Sequence, residues 1–178
     1  GGQGGQGGGG AVVVWLNELH YDNNGGDQGE GVEVAGTAGA SLSDYRIEFY
    51  NGSNPAAATL YDTELLGGTI PDQSNGFGTV WFPISGIQNG TADGLALIHI
   101  PTNAVLQHIS YEGVHTVATG QGAAEGLTSI DMGVDEPDTT PVGQSLQLMG
   151  TGSDYADFTW AAPATATPGA PNNNQTLL

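Results

Sequence analysis

The sequence predicts an all-β protein built from packed sheets. Short segments rich in Val, Ile, Tyr, Phe and Trp recur along the chain, and turn-forming Gly, Asn, Asp and Pro separate them. No stretch keeps the hydrophobic period of a helix over the length that a helix needs. Closely spaced short strands of this kind are typical of a β-sandwich or a β-barrel. The 178 residues suffice for one domain with its own hydrophobic core.

Predicted strands follow one another from residue 11 onward. They lie near residues 11–19, 31–36, 45–51, 58–65, 78–83, 94–100, 104–111, 145–149 and 158–161. Pro101, Thr102 and Asn103 predict a hairpin turn, because Pro presets one turn dihedral and Asn tolerates the left-handed region. Residues 112–143 have a weaker strand pattern and are predicted to form a long loop.

The first ten residues consist only of Gly and Gln and have no apolar side chain to bury. Such a segment is either a flexible tether or an extended segment that docks on another subunit. The predicted docking positions are Gly1, Gln3, Gln6 and Gly10. We therefore divide the chain into a Gly-rich tail at 1–10, a β-domain at 11–172 and a C-terminal tail at 173–178.

The charge balance is strongly acidic. The chain has 19 acidic residues against one base, Arg46, and a formal charge of -18. Such a surface repels phosphates and anionic headgroups, so direct binding to nucleic acid or to a membrane surface is not expected. No apolar run is long enough for membrane insertion. Bound cations or salt would relieve the repulsion among the carboxylates.

The loop between the first two predicted strands concentrates oxygen ligands. Its candidate metal ligands are Asp22, Asn24, Asp27 and Glu30, with two glycines among them. Calcium binds about six to eight oxygens, and a loop of this composition would supply several of them. The spacing is not that of an EF-hand, so an Asx-rich turn that caps its own backbone is the alternative. Calcium is the cofactor that the loop predicts.

Other ionisable residues are expected to be solvated or packed. Glu18 and Glu33 are predicted to face solvent on neighbouring strands. A second acidic cluster in the long loop is likewise expected to be solvated; it comprises Asp131, Asp135, Glu136 and Asp138. The histidines fit no spacing of a zinc site and are expected to pack or to lie on the surface; they are His20, His99, His108 and His115.

The composition also argues against an enzyme. Without Lys or Cys, Schiff-base and thiol chemistry are excluded, and one arginine is a weak basis for phosphoryl transfer. The chain contains neither a Gly-x-Ser-x-Gly elbow nor a phosphate-binding loop. The tryptophans and tyrosines are expected to pack in the core and on sheet faces, with an exposed platform for sugars as the alternative.

A series of motifs runs along residues 12–172 in a defined order. They include Asn17-Glu18-Leu19-His20-Tyr21-Asp22-Asn23, Gly29-Glu30-Gly31-Val32-Glu33-Val34, Leu42-Ser43-Asp44-Tyr45, Ile70-Pro71-Asp72-Gln73-Ser74-Asn75-Gly76-Phe77-Gly78 and Thr167-Pro168-Gly169. In this order they resemble the lamin-tail domain family in its bacterial secreted form. The resemblance implies an immunoglobulin-like β-sandwich of the kind appended to extracellular nucleases and phosphatases.

The chain departs from that family in two respects. No nuclease or phosphatase part accompanies the motifs, so no catalytic role follows from the resemblance. Related sequences carry cysteines near the positions of Ser74 and Pro171, whereas this chain has none. The exit segment that contains Pro171 is therefore expected to be held by packing alone.

These observations predict a non-enzymatic, exported structural protein. The expected partner is a second copy of the chain, in a homo-oligomer or homopolymer that forms an extracellular filament or matrix. A sandwich leaves unpaired strand edges, and an extended segment of another chain can complete one. The alternative is an extracellular module that binds a glycan or another cell-surface ligand.

Overall fold

The computed structural model describes residues 11–178 and is a β-sandwich of two mainly antiparallel sheets, as the sequence predicts. Its strands are β1 (Val14–His20), β2 (Gly31–Thr37), β3 (Tyr45–Asn51), β4 (Thr59–Leu65), β5 (Phe77–Pro83), β6 (Gly94–His99), β7 (Ala104–Ser110), β8 (Ile130–Asp131), β9 (Gln144–Gly152), β10 (Phe158–Thr165) and β11 (Gln175–Leu177). Three single-turn 3-10 helices lie at Leu42–Asp44, Ile100–Thr102 and Tyr155–Asp157. The predicted docking positions Gly1, Gln3, Gln6 and Gly10 lie outside the described residues.

The first sheet has the strand order β10-β9-β1-β2-β5, and β11 pairs in parallel with β9. Strand β1 carries a β-bulge between Leu16 and Glu18, where its register with β2 shifts by one residue. Strand β9 pairs with β1 only at Glu18 and Leu19. The two strands therefore separate toward the beginning of β1.

The second sheet has the strand order β4-β3-β6-β7-β8. The predicted hairpin turn lies between β6 and β7, and Asn103 there has a φ of 53°, in the left-handed region that Asn tolerates. Strand β8 pairs with β7 only at Ile109 and Ser110.

The main core lies between the sheets and is rich in aromatic side chains. Trp15 stacks on Phe158 with ring centroids 5.8 Å apart, and Tyr21 stacks on Tyr111 at 3.9 Å. Trp160 is also buried in this core. This packing agrees with the structural role expected for most of the aromatic residues.

A second apolar cluster lies on the outer face of the second sheet. Tyr50 and Ile98 of the sheet pack there against Val117 and Ala124 of the long loop. The loop is fixed to the sheet by two backbone hydrogen bonds of Ala58, one at 2.8 Å and one at 2.9 Å. Residues 112–129 therefore form a cover over this sheet, which we call the loop cover.

The expected C-terminal tail is part of the first sheet. Residues 175–177 form β11, and Leu177 is buried in the main core. Such a strand of three residues lacks the length over which alternation of polar and apolar residues becomes visible. The same reason applies to β8, which has two residues and was also not predicted. Among residues 11–178, no helix is long and apolar enough to cross a membrane.

Candidate functional site

The four predicted calcium ligands lie on the loop between β1 and β2, where Asp22 and Asp27 lie close together and Glu30 is engaged elsewhere. Asp22 is buried, whereas Asn24 and Asp27 are exposed. Glu30 turns toward a different loop, where its Oε2 accepts a hydrogen bond of 2.8 Å from the backbone N–H of Gly86. Within residues 11–178, no group of three or more His, Asp or Glu side chains has an arrangement that would hold a metal ion.

Asp22 and Asp27 form the closest acidic pair of this loop. Burial, followed by the charge of Asp27, raises the pKa of Asp22 above its ordinary value. Asp27 also accepts a hydrogen bond of 3.4 Å from the backbone N–H of Asn23, as in an Asx-rich turn. The loop thus contains hydrogen bonds of the kind expected for an Asx-rich turn. Calcium binding at this loop stays a prediction.

Glu136 is buried, which corrects the expectation that the second acidic cluster is solvated as a whole. Its carboxylate accepts hydrogen bonds from the backbone N–H groups of Tyr21 at 2.7 Å and Asp22 at 3.0 Å. It also lies 2.9 Å from Nδ1 of His20. Burial lowers the pKa of His20, whereas the Glu136 carboxylate raises it, and the net shift is upward. Glu136 therefore ties the long loop to the end of β1.

His108 and His115 form a buried pair beneath the loop cover. His115 Nδ1 lies 2.7 Å from the carbonyl oxygen of Ala92 and donates to it, so its Nε2 accepts from His108 Nε2 at 3.0 Å. These tautomers leave His108 Nδ1 as an acceptor, and it has no hydrogen-bond partner among the described residues. Burial lowers the pKa of His108 to about 4 and also lowers that of His115.

Glu18 and Glu33 are fully buried, which corrects the expectation of a solvated sheet face. Both lie on the outer face of the first sheet and pair across β1 and β2. Residues 166–174, between β10 and β11, cross this face and exclude water; we call them the C-terminal strap. The sequence could not reveal this, because the carboxylates lie more than 100 residues before the strap that covers them.

The strap supplies hydrogen-bond donors to both carboxylates. Glu18 accepts from the backbone N–H of Thr167 at 2.9 Å and from its hydroxyl at 2.8 Å. Glu33 accepts from the backbone N–H of Gly169 at 2.7 Å and from Asn17 Nδ2 at 2.9 Å. Burial is the largest cause that raises the pKa of Glu33, to about 8. Buried acids of this kind are retained where hydrogen bonds satisfy their oxygens.

A groove of about 430 Å³ opens between β1 and β7 at one side of the sandwich. Val12, Trp15, Leu106 and Tyr155 contribute to its walls, and Leu106 is 44% exposed. Gln107 also lines it; its Oε1 accepts from the backbone N–H of Leu16 at 2.6 Å. Its Nε2 is buried and has no hydrogen-bond partner within the described part of the chain.

Both strands beside the groove have an incompletely paired edge. On one side of β1, residues 14–16 pair with β2, while β9 reaches β1 only at residues 18 and 19. On β7, residues 104, 105, 107 and 108 pair with β6, Leu106 lies at a register shift, and β8 reaches only residues 109 and 110. Two edge strands carry residues that discourage pairing with another chain. Strand β4 contains Asp62 and Glu64, and β10 contains Pro163.

The sequence interpretation did not single out Gln107, Gln147 or the hydroxyl of Thr167 as functional candidates. Each is a polar residue whose importance depends on a partner far along the chain. The sequence contains two acids on neighbouring predicted strands and a Thr- and Asn-rich segment that could supply donors to them, but nothing in it places that segment over the acids.

Comparisons with models of protein families, with curated proteins and with solved structures find no match to this chain. The resemblance to lamin-tail domains therefore rests on the motifs alone.

Proposed function

We propose that this chain is a non-enzymatic, exported structural protein that assembles with copies of itself. The groove between β1 and β7 receives the Gly-rich residues 1–10 of a neighbouring copy. The observation that supports this most is the coincidence of two incompletely paired strand edges with a partly apolar groove. An extended peptide can add to such edges through main-chain hydrogen bonds.

The composition of residues 1–10 suits this groove. Eight of these ten positions are Gly, and the other two are Gln. Without bulky side chains, the backbone of such a segment can approach a strand edge closely. A carbonyl of the docked segment would also meet the amide of Gln107 after a small side-chain movement, which would supply the acceptor that Nε2 lacks.

The charge distribution also favours this segment as the occupant. Each subunit carries a formal charge of -18, so two copies repel each other over most of their surfaces. Residues 1–10 contain no acidic side chain and can approach without that penalty. Calcium or another divalent cation at Asp22 and Asp27 would lower the remaining repulsion in an extracellular assembly.

The proposal is tested by deleting residues 1–10 or by changing the wall of the groove. Deletion of residues 1–10 and the substitution Leu106→Gln should each weaken self-association by about tenfold or more in analytical ultracentrifugation. The deletion removes the docked backbone with its main-chain hydrogen bonds, and Leu106→Gln places a polar side chain in the groove. The matched control is Leu127→Gln, since Leu127 is 45% exposed and lies on the loop cover, away from the groove. That variant should assemble like the unmodified chain.

Electron microscopy of the same samples identifies the type of assembly. If the deletion variant still assembles fully, the docking of residues 1–10 is wrong. If Leu127→Gln and Leu106→Gln weaken assembly equally, the groove is not the acceptor. A chain that remains monomeric at all concentrations, with or without calcium, contradicts self-assembly as such and favours the extracellular binding module.

A further inference from the structure

A buried cluster beneath the C-terminal strap brings a hydroxyl, a carboxylate and a primary amide together. The hydroxyl belongs to Thr167 of the strap, the carboxylate to Glu18 of β1 and the amide to Gln147 of β9. Glu18 is 0% exposed and Gln147 is 2% exposed. The assembly function proposed above does not use any of these three side chains.

The hydrogen-bond partners of the Gln147 amide show which of its two terminal atoms is the oxygen. Its Oε1 accepts from the backbone N–H of Asn173 and from Asn173 Nδ2, each at 3.2 Å. Its Nε2 donates to the carbonyl oxygen of Thr165 at 2.9 Å. An exchange of the oxygen and nitrogen positions would place two donors and two acceptors against each other.

The carboxylate of Glu18 reaches both the hydroxyl and the amide nitrogen. Its Oε2 accepts the Thr167 hydroxyl proton at 2.8 Å, and its Oε1 lies 3.3 Å from Gln147 Nε2. The distance between the Thr167 oxygen and Gln147 Nε2 is 3.2 Å. The hydroxyl of Ser145 holds Oε1 in place through a hydrogen bond of 2.5 Å.

We propose that this cluster forms an intramolecular ester between Thr167 Oγ1 and the side-chain carbonyl carbon of Gln147, with release of ammonia. The groups have the roles that an acyl transfer requires: a nucleophile with an adjacent base, and donors on the oxygen that becomes negative. The product ties the strap covalently to the middle of the first sheet.

The steps balance without a cofactor. After the Gln147 amide turns its face to the hydroxyl, Glu18 takes the proton of Thr167 Oγ1 as the oxygen bonds to the amide carbon. The two N–H groups of Asn173 stabilise the negative charge that develops on Gln147 Oε1. Glu18 then delivers the proton to Nε2, the C–N bond breaks, and one ammonia leaves. Glu18 is regenerated as a carboxylate.

Thr167 is a better nucleophile for this cross-link than Ser145, the other hydroxyl of the cluster. Ser145 and Gln147 are two positions apart on the same strand, so an ester between them would close a small, strained ring. Thr167 lies on a separate segment and joins two parts of the fold that hydrogen bonds already hold together. Ser145 is accordingly a positioning residue for Glu18.

Intact-mass spectrometry of the full chain, purified after incubation at neutral pH, tests the ester. We expect a mass about 17 Da below that of the unmodified sequence, from the loss of one ammonia. Thr167→Val should have its full calculated mass, whereas Thr167→Ser, which keeps a hydroxyl, should show the deficit. The matched control Thr165→Val should also show it, because only the backbone of Thr165 contacts Gln147. Glu18→Gln should lose the deficit, provided that circular dichroism shows a folded chain.

Peptide mapping separates the ester from a different loss of ammonia. Asn-Gly sequences can form succinimides of the same mass, and the chain has them at Asn24-Gly25, Asn51-Gly52, Asn75-Gly76 and Asn89-Gly90. The ester predicts a linked pair of peptides that contain Gln147 and Thr167 and that hydroxylamine separates. A full-mass unmodified chain after prolonged incubation, or a deficit that mapping places at an Asn-Gly peptide with no linked pair, overturns the proposal.

Discussion

The two sheets of this sandwich are covered on their outer faces by different chemistry. The C-terminal strap lies on the first sheet and is held by hydrogen bonds to the buried carboxylates of Glu18 and Glu33. The loop cover lies on the second sheet and is held by an apolar cluster, with Glu48 as its main buried acid. Two equivalent structural tasks are thus performed by a polar network on one face and mainly by apolar packing on the other.

Because of this difference, we expect the two covers to respond to pH in opposite directions. The first sheet buries an acid whose pKa is raised, whereas the second buries histidines whose pKa values are lowered. Each shift links proton binding to folding. The strap is therefore weakened by alkali and the loop cover by acid.

The largest expected loss of stability follows from removing, in turn, one carboxylate that binds each cover. Glu18→Ala leaves the Ser145 hydroxyl and the backbone N–H of Thr167 without their acceptor and should lower the free energy of unfolding by about 3 kcal/mol. To exclude any contribution from the ester, chains with and without Glu18→Ala are compared when both carry Thr167→Val and so lack the Thr167 hydroxyl. Urea denaturation measures the change.

The matching change on the second sheet is Glu48→Ala, which removes the acceptor of Arg46 and of the Ala123 backbone N–H, each at 2.8 Å. We expect a smaller loss, about 2 kcal/mol, because apolar contacts still hold this cover. If Glu48→Ala costs more than Glu18→Ala, the distinction between the two covers is wrong.

The next effect is the loss of strap stability at alkaline pH. Burial raises the pKa of Glu33 from its ordinary value of 4.5 to about 8, so its contribution to stability is present below pH 4.5 and is lost as the pH rises through 8. The loss should be on the order of a few kcal/mol, reduced by neighbouring donors. Unfolding curves from pH 5 to pH 9 measure it, and Glu33→Gln should flatten them over this range.

A weaker effect of opposite sign is expected for the loop cover. Burial lowers the pKa of His108 from its ordinary value of 6.5 to about 4, so its contribution to stability is present above pH 6.5 and is lost as the pH falls through 4. His108 is paired with His115, and Tyr50 and the Asp93 carboxylate face the two histidines. The protection of amides against hydrogen exchange, corrected for the intrinsic exchange rate at each pH, should be lower in residues 112–129 at pH 4.5 than at pH 7, while residues 166–174 keep theirs. An equal loss of protection in both segments would contradict the comparison.

The smallest effect concerns the loop between β1 and β2. Asp27→Asn removes the like charge beside Asp22, so the pKa of Asp22 should fall toward its ordinary value. Without calcium, the free energy of unfolding should change by no more than about 0.5 kcal/mol, since Asp27 is exposed. If calcium binds here, millimolar calcium should raise the melting temperature of the unmodified chain more than that of Asp27→Asn. Equal shifts would remove the loop as a calcium site.

The sequence predicts those parts of the fold that depend on local pattern. Nine of the strands have enough β-branched and aromatic residues, with turn formers between them, to be recognised, and Asn103 marks its turn correctly. The short strands β8 and β11 form because a longer strand offers a partner, and two or three residues carry no pattern of their own.

The buried acids were beyond prediction for a related reason. Glu18, Glu33 and Glu136 are charged residues in acidic surroundings, which usually means exposure. Their burial depends on segments that return to them from 100 or more residues away, such as Thr167 for Glu18. Hydrophobic periodicity does not report such contacts, so the cluster around Gln147 becomes visible only in three dimensions.

The position of the groove limits the symmetry of any assembly made through it. Val12 lies at the groove wall, and only Ala11 separates it in sequence from residues 1–10. The segment is therefore attached to its own subunit near the groove that would receive a neighbour's segment. Two copies that face each other can exchange these segments reciprocally, which closes a two-fold pair and leaves no groove free for growth. A fully extended decapeptide spans roughly 33 Å, which also permits it to reach a more distant copy. The relative amounts of closed pairs and open chains should therefore depend on the length of this segment.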